Sequence, residues 1–296
     1  VYSSLNCYFC TKLCFNRIFI LMKGLYMRGF IFLTLFLIGC SSASSNFLDF
    51  STTKKTQADT TVEDFKSRVG YLASDKLGGR SAGSKGDILA RDYMVNLFKK
   101  SSSSVIVQDF EVITNRRTQE TALTHNVIGV LPGNDPILKD EFVIIGGHYD
   151  TTANPPKARK LFFDNINNGA DDNASGTAMV LELFEKYAST KDHKRTLVFI
   201  LFGGEELGLL GSKFYAENPT IDLDKVQLMV NLDMVGRLDE DKNVYLGGVP
   251  TAYGFNETLK PFFEESKLNV TSYEHTASGV RSLFSRSDHY LSLIHI

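Results

Sequence analysis

Tryptophan is absent from this 296-residue chain, and cysteine nearly so. The four cysteines, Cys7, Cys10, Cys14 and Cys40, all lie at or before position 40, so everything beyond them has neither disulfides nor thiolate ligands available. A metal site there must be built from histidine and carboxylates. A metal knuckle of Cys7, Cys10 and Cys14 is disfavoured, because no histidine or fourth cysteine follows nearby. A dominant charge is missing too: 32 basic and 34 acidic residues leave a formal net charge of −2. The basic residues are scattered, and nothing points to nucleic acid. The apolar run "GFIFLTLFLIG" (29–39) is too short to cross a bilayer as an ordinary helix. There is no internal repeat, and low complexity is confined to 41–60 and Ser101–Ser104.

What is present begins with the N-terminal organisation. Val1 is not an initiator, and residues 1–21, without clear period, read as translated upstream sequence. From Met22 or Met27 the pattern sharpens: Lys23 and Arg28 form a basic stretch, an apolar core follows, and Leu37-Ile38-Gly39-Cys40 precedes "SSASSN". This resembles a bacterial lipobox. It implies a lipoprotein signal peptide over 22–39, a lipidated Cys40, a tether over 40–60 and a place in the bacterial cell envelope. Ser41, where retention in the inner membrane usually needs Asp, points to the outer membrane. Residues 61–290 then suffice for one large domain with a full core.

Within that domain, "TVEDFKSRVGYLAS" and "DILARDYMVNLFKK" read as helices, the latter with Leu89, Tyr93 and Leu97 on one face. "SVIVQDFEVI" and "HNVIGVLPG" read as strands. "EFVIIGG" and "RTLVFILFGG" are unbroken apolar runs of the kind found in a sheet covered on both faces. "ASGTAMVLELFEKYAS" and "LGLLGSKFYAEN" read as helices, and "VQLMVNLDMVG" as a further strand. The alternation predicts a three-layer α/β/α fold with a mixed, centrally parallel sheet.

The unusual residues fall at strand ends. His148 and Asp150 follow "EFVIIGG", Asp171 and Asp172 precede a helix, Glu205 and Glu206 follow "RTLVFILFGG", and Asp233 closes the strand begun near Val226. In such sheets the ligand crevice lies outside the carboxyl ends of the strands. Carboxylates crowded there without a basic partner would repel one another, and a divalent cation removes that cost. Histidine plus carboxylates suits zinc, with manganese or cobalt as weaker fits. Adjacent side chains in a loop diverge, so one of Glu205 and Glu206 can bind metal while its neighbour acts as a general base.

"GGHYDT", "NNGADDNASGTAMVLEL", "LFGGEELGLLGS" and "VNLDMVG", in that order, resemble the di-zinc aminopeptidases of family M28, and "YLASDKLGGRSAGSKG" matches that family's usual N-terminal stretch. The resemblance covers roughly 62–290. It implies two zinc ions: His148 and Asp233 on one, Glu206 on the other, and Asp172 bridging both. Glu205 would activate a metal-bridging water, and Asp150 would orient His148 through its second ring nitrogen. Asp171 would be an acidic neighbour, Asn173, Ser175 and Gly176 would shape the turn, and Asp288-His289 would support the site from behind. His125 reads as a polar strand-edge residue, His193 as part of a solvated turn and His275 as a loop residue.

The implied activity is hydrolysis at free peptide N-termini. Glutaminyl cyclases, single-zinc relatives of the same fold, are the rival; the Glu-Glu segment and the lack of tryptophan for their aromatic pocket count against them. A non-catalytic receptor-like module is a third reading, disfavoured because such modules lose ligands. The family's last histidine ligand is expected beyond "SDH", where this chain has "LSLIHI". Residues 291–296 read as a foreign, adapter-derived scar on a truncated domain.

Overall fold

The sequence TLVFILF leaves strand β5 (Thr196–Phe202) no polar side to turn to water, and every one of its residues is buried. Its neighbours explain why. In the computed structural model, which describes residues 4–5, 62–102, 104–152, 166–251, 254–273 and 286–290, β5 is the middle strand of a five-stranded sheet. The sheet runs β2 (Val105–Asn115), β3 (Glu120–Leu131), β5, β4 (Phe142–His148), β6 (Val226–Asn231). β2, β3 and β5 pair antiparallel, whereas β5, β4 and β6 pair parallel. The register puts His148 opposite Phe202 and Gly146 opposite Asn231, so the parallel strands end side by side on one rim.

Successive residues of β5 enter two different cores. Leu197, Phe199 and Leu201 join Val127 and Ile145 beneath helices α1 (Val62–Leu72), α2 (Lys85–Ser101) and α3 (Gly176–Thr190), with Leu72, Met94, Phe98, Leu181 and Phe184. Val198, Ile200 and Phe202 join Ile128, Ile144 and Met229 on the other face, covered by Tyr215 of α4 (Leu210–Glu217). Each large side chain so buried contributes about 1.5–3 kcal/mol. The packing is close: Phe184 meets Phe98 at 4.4 Å and Phe199 edge-on at 5.3 Å between centroids. A Cβ on Gly129 would touch both Phe98 and Phe184 at 3.0 Å, so β3 must be bare at that point. The three-layer, mixed α/β architecture is therefore the expected one.

A second sheet, all parallel, orders β1 (Ser4–Leu5), β7 (Asn243–Gly247) and β8 (Asn269–Tyr273), with α5 (Phe255–Ser266) between β7 and β8. The sequence pattern carried no assignment for 243–273. The strand read through "VQLMVNLDMVG" ends early, at Asn231. Beyond it the amides of Met234, Val235 and Gly236 donate to the side chains of Asn173, Ser175 and Asp171, at 3.2, 3.0 and 2.9 Å, instead of to a strand. Likewise the helix read from 174 starts at Gly176, after a kinked turn over Ala170–Ser175 in which Asp172 and Asn173 depart from helical backbone. His125 is no edge residue: it is buried, with Nδ1 2.7 Å from Asp109 Oδ1. Residues 6–61, with Cys40 and the lipobox, and 291–296 lie outside the described residues.

Candidate active site

The rim of the parallel strands gathers groups from each of their three ends. His148 closes β4 and is buried. Its Nδ1 is 3.1 Å from the main-chain oxygen of Asp150, which fixes this nitrogen as the donor. In the neutral imidazole Nε2 then presents a lone pair, and it faces two carboxylate oxygens: Asp172 Oδ1 at 3.3 Å and Asp233 Oδ1 at 3.4 Å. The three ligand atoms lie within 4.8 Å of one another. Three acceptors converging on one point is an arrangement a cation satisfies. The two separations from Nε2 also match the edges of a tetrahedral zinc site, where bonds of roughly 2.0–2.1 Å put ligand atoms about 3.4 Å apart. The residues present fit the metal.

Electrostatics agree with that geometry. Burial alone would depress the His148 imidazole, but Asp233, Asp150 and Asp172 outweigh it and hold the pKa well above the ordinary value. Burial would raise Asp233, yet His148 leaves it below the usual carboxylate range. Glu205 is pushed up to about 9 by burial, His148 opposing and Asp288, Asp233 and Asp150 reinforcing the rise. Burial, then Asp172, raises Glu206 as well. Asp288, fully buried, is pushed up to about 7 by its desolvation.

The two glutamates reach the rim on a loop that β5 hands to α4. Gly203, which starts it, can carry no side chain, because a Cβ would lie 2.5 Å from the His125 carbonyl. The amides of Glu205 and Glu206 donate to the two carboxylate oxygens of Asp150, at 3.0 and 3.3 Å. This use of Asp150 was not legible in the sequence. Its carboxylate lies 3.7 Å from His148 Nδ1, farther than its own main-chain oxygen, so its acid group mainly anchors the glutamate loop. Thr151 Oγ1 donates to Glu206 Oε1 at 3.4 Å. Glu206 is not a member of the close ligand group, which among the described residues comprises His148, Asp172 and Asp233.

Asn173 holds the three loops in register. Buried, it donates from Nδ2 to the carbonyls of His148 and Leu232 at 3.2 and 3.0 Å. Its Oδ1 accepts from the amides of Gly176 and Met234 at 2.9 and 3.2 Å. The full hydrogen-bonding capacity of an amide side chain is used. Asp171 turns away, to Arg237 and the Gly236 amide. Ser287, Asp288 and His289 are buried, and Ser287 Oγ accepts from Asn231 Nδ2 at 2.7 Å. His275 and His295 lie outside the described residues. A cleft of about 740 Å³ opens on the Asp172 side, lined by Phe65, Val69, Asp171, Met234 and Arg237 among others.

A mixed α/β sheet with a histidine and carboxylates gathered at its rim defines a class of metal-site folds, and comparison with known proteins narrows it. The profile of peptidase family M28 matches residues 126–292, more than half of the chain, and the protein belongs to that family. It is similar to aminopeptidase YwaD of Bacillus subtilis (strain 168), 32% identical over 139 residues, 47% of this chain and 28% of that one. The chain spans 42%, 28% and 22% of the length of the first curated relatives it matches. Among solved structures it shares the fold of a Zn-dependent exopeptidase from Parabacteroides distasonis, with TM-score 0.61, 17% identity and coverage of 80% of this chain and 81% of that one. A glutaminyl cyclase from Bacteroides thetaiotaomicron shares it too, with TM-score 0.59, 16% identity and coverage of 79% and 80%.

Proposed function

We propose that this protein is a zinc-dependent exopeptidase that hydrolyses the first peptide bond at free N-termini. The observation that carries the reading is the convergence of His148 Nε2, Asp172 Oδ1 and Asp233 Oδ1 at the ends of the parallel strands, beside a loop bearing Glu205 and Glu206. In this reading His148 and Asp233 would hold one zinc and Glu206 a second, with Asp172 a ligand available to either. Bound zinc supplies Lewis acidity toward the scissile carbonyl and lowers the pKa of water.

The remaining work falls to side chains. Glu205, whose carboxyl group the charge of bound zinc would return to its ionised form, accepts a proton from the attacking water and returns it to the amine as the C–N bond breaks. Its position is set through its main chain by Asp150, which leaves the carboxyl group free to exchange a proton. The acidic rim attracts an α-ammonium, which biases the enzyme toward N-terminal residues. The cleft beside Asp172 is of the size that takes a small ligand or a short peptide segment.

Single-zinc cyclisation of N-terminal glutamine is the alternative, favoured by the close group of three ligands and by the fold shared with glutaminyl cyclases. Assaying purified protein with aminoacyl amides and with glutaminyl peptides, before and after chelation, separates the two. Release of the amine from aminoacyl amides that stops on chelation and returns with zinc supports the peptidase; ammonia release confined to glutaminyl substrates supports the cyclase. Hydrolysis that survives exhaustive chelation sinks both. The proposal extends to location: lipidation at Cys40 would anchor the enzyme to the bacterial envelope. Cys40→Ser should abolish lipid labelling and release the protein from membranes; an unlabelled, unanchored wild type would overturn that part.

A further inference from the structure

Arg80 is the largest fully buried side chain of the described residues, and nothing in the reaction above uses it. Its backbone is left-handed, with φ 55°, at the end of the "DKLGGR" turn. The guanidinium Nε donates to the Tyr149 carbonyl at 2.7 Å, Nη1 to those of Leu72 and of Asn168, the latter at 2.9 Å, and Nη2 to that of Gly169 at 3.0 Å. Every one of these acceptors is main chain. Tyr149 lies between His148 and Asp150, and Asn168-Gly169 lead directly into the turn that carries Asp172. One rigid planar group thus spans the two loops that deliver two of the three converging ligands.

The surroundings are built for this contact. Gly169, at φ +56°, would place a Cβ 2.9 Å from Arg80 Nη2, so glycine alone allows the approach. Tyr149 is held at its other end as well. Its hydroxyl donates to Asp87 Oδ1 at 2.5 Å, and lies 3.1 Å from the His125 carbonyl. Asp87 Oδ2 in turn accepts from the Gly83 amide at 2.7 Å. The segment 79–87 therefore grips Tyr149 by carbonyl and hydroxyl together. Burying a cation is costly unless its donors are met; here the carbonyls meet them, and although burial lowers the guanidinium to about 10, the charges of Asp150 and Asp172 oppose that fall.

We infer that Arg80 is a positioning residue: by bonding the carbonyls of Tyr149, Asn168 and Gly169 it sets the spacing between His148 and Asp172, and with it the affinity of the site for zinc. The inference rests on the zinc reading above. Lysine keeps the charge but not the fork of donors, so Arg80→Lys in the full chain is the test. Its zinc dissociation constant, measured by competition with a chromophoric chelator, should rise roughly 10–100-fold, as is typical for groups that orient ligands. In the metal-stripped protein the amides of Thr151, which donates to Gly79, and Ala174, which donates to Gly169, should exchange about tenfold or more faster, while β5 keeps its protection. For Arg80→Ala, methylguanidinium should recover part of the zinc affinity; should that variant not fold, Arg80→Lys decides alone. Unchanged zinc affinity and unchanged exchange in Arg80→Lys would overturn the inference. If wild type takes up no zinc, the functional reading falls, and the inference falls with it unless exchange at Thr151 and Ala174 still accelerates selectively, which would leave Arg80 as the organiser of the two loops.

Discussion

Asp171 and Asp172 stand side by side before α3, and Glu205 and Glu206 stand side by side after β5, yet the chain treats the two pairs differently. The first pair is split. Asp171 turns away from the ligand group to Arg237 Nε at 2.9 Å, while the half-exposed Asp172 turns to His148. The second pair is held together from behind, both amides on one Asp150 carboxylate, with the side chains left to the rim. In the aspartate loop the side chains are pinned; in the glutamate loop the main chain is pinned. A metal ligand benefits from the first arrangement, because its oxygen must sit at a fixed distance. A group that takes and returns a proton benefits from the second, because its carboxyl must remain available.

The sharpest way to break this contrast is to treat the aspartates as equivalent. Asp172→Ala should lose metal and nearly all activity, well beyond the roughly 10–100-fold typical of groups that merely support ligands. Asp171→Ala removes an ion pair with Arg237 and the acceptor of the Gly236 amide, neither of them a bond to the ligand group, and should keep its metal. Equal metal loss in both, measured by elemental analysis, would mean that the loop and not the side chain matters.

The glutamates come next. Glu205→Gln should lower kcat about 10²–10⁴-fold with metal content intact, since only proton transfer is removed. Glu206→Gln should instead reduce the metal bound per chain. If both variants lose metal alike, the division of roles between them is wrong.

Asp150→Asn tests what holds the second pair. An amide offers one acceptor oxygen where the carboxylate offers two, so one of the bonds to the Glu205 and Glu206 amides must go. A fall in activity of about 10–100-fold with zinc retained is expected. Loss of zinc in its place would show that Asp150 serves His148 more than the glutamate loop.

The last effect is a pH dependence of stability and not of activity. In metal-stripped protein the Glu205 pKa is raised to about 9, so between about 4.5 and 9 the folded chain holds a proton that the unfolded chain releases. Stability contributed by this group is therefore full below that window and lost as pH rises through it. Denaturant titrations of metal-stripped wild type and Glu205→Gln should converge in mild acid and diverge toward pH 9, the variant being the more stable. Parallel pH profiles would remove Glu205 from the buried rim.

The buried strands and the rim residues were legible because their signals are local. "EFVIIGG" and "RTLVFILFGG" are apolar without alternation, and acids directly after such runs stand out. The loops were less legible. Asn173 could be placed near the turn, but its four bonds join residues from 148 to 234, and no window of sequence contains them. Arg80 left a faint signal, a charge set among small residues in "GGRSAG", and its partners lie at 72, 149, 168 and 169.

By itself, then, the sequence determined the class of sheet, the strand ends that carry His148, Asp172, Glu205, Glu206 and Asp233, and membership of a metallopeptidase family, because apolar periodicity and contiguous motifs need no partner to be read. The tertiary structure alone decided that Asp172 and not Asp171 meets His148, that Asp150 spends its carboxylate on the glutamate loop, and that a buried arginine joins two ligand-bearing loops. Each of those outcomes depends on which hydrogen-bonding group lies opposite, and that is settled only when distant loops are brought to one rim and every buried polar group must find a partner.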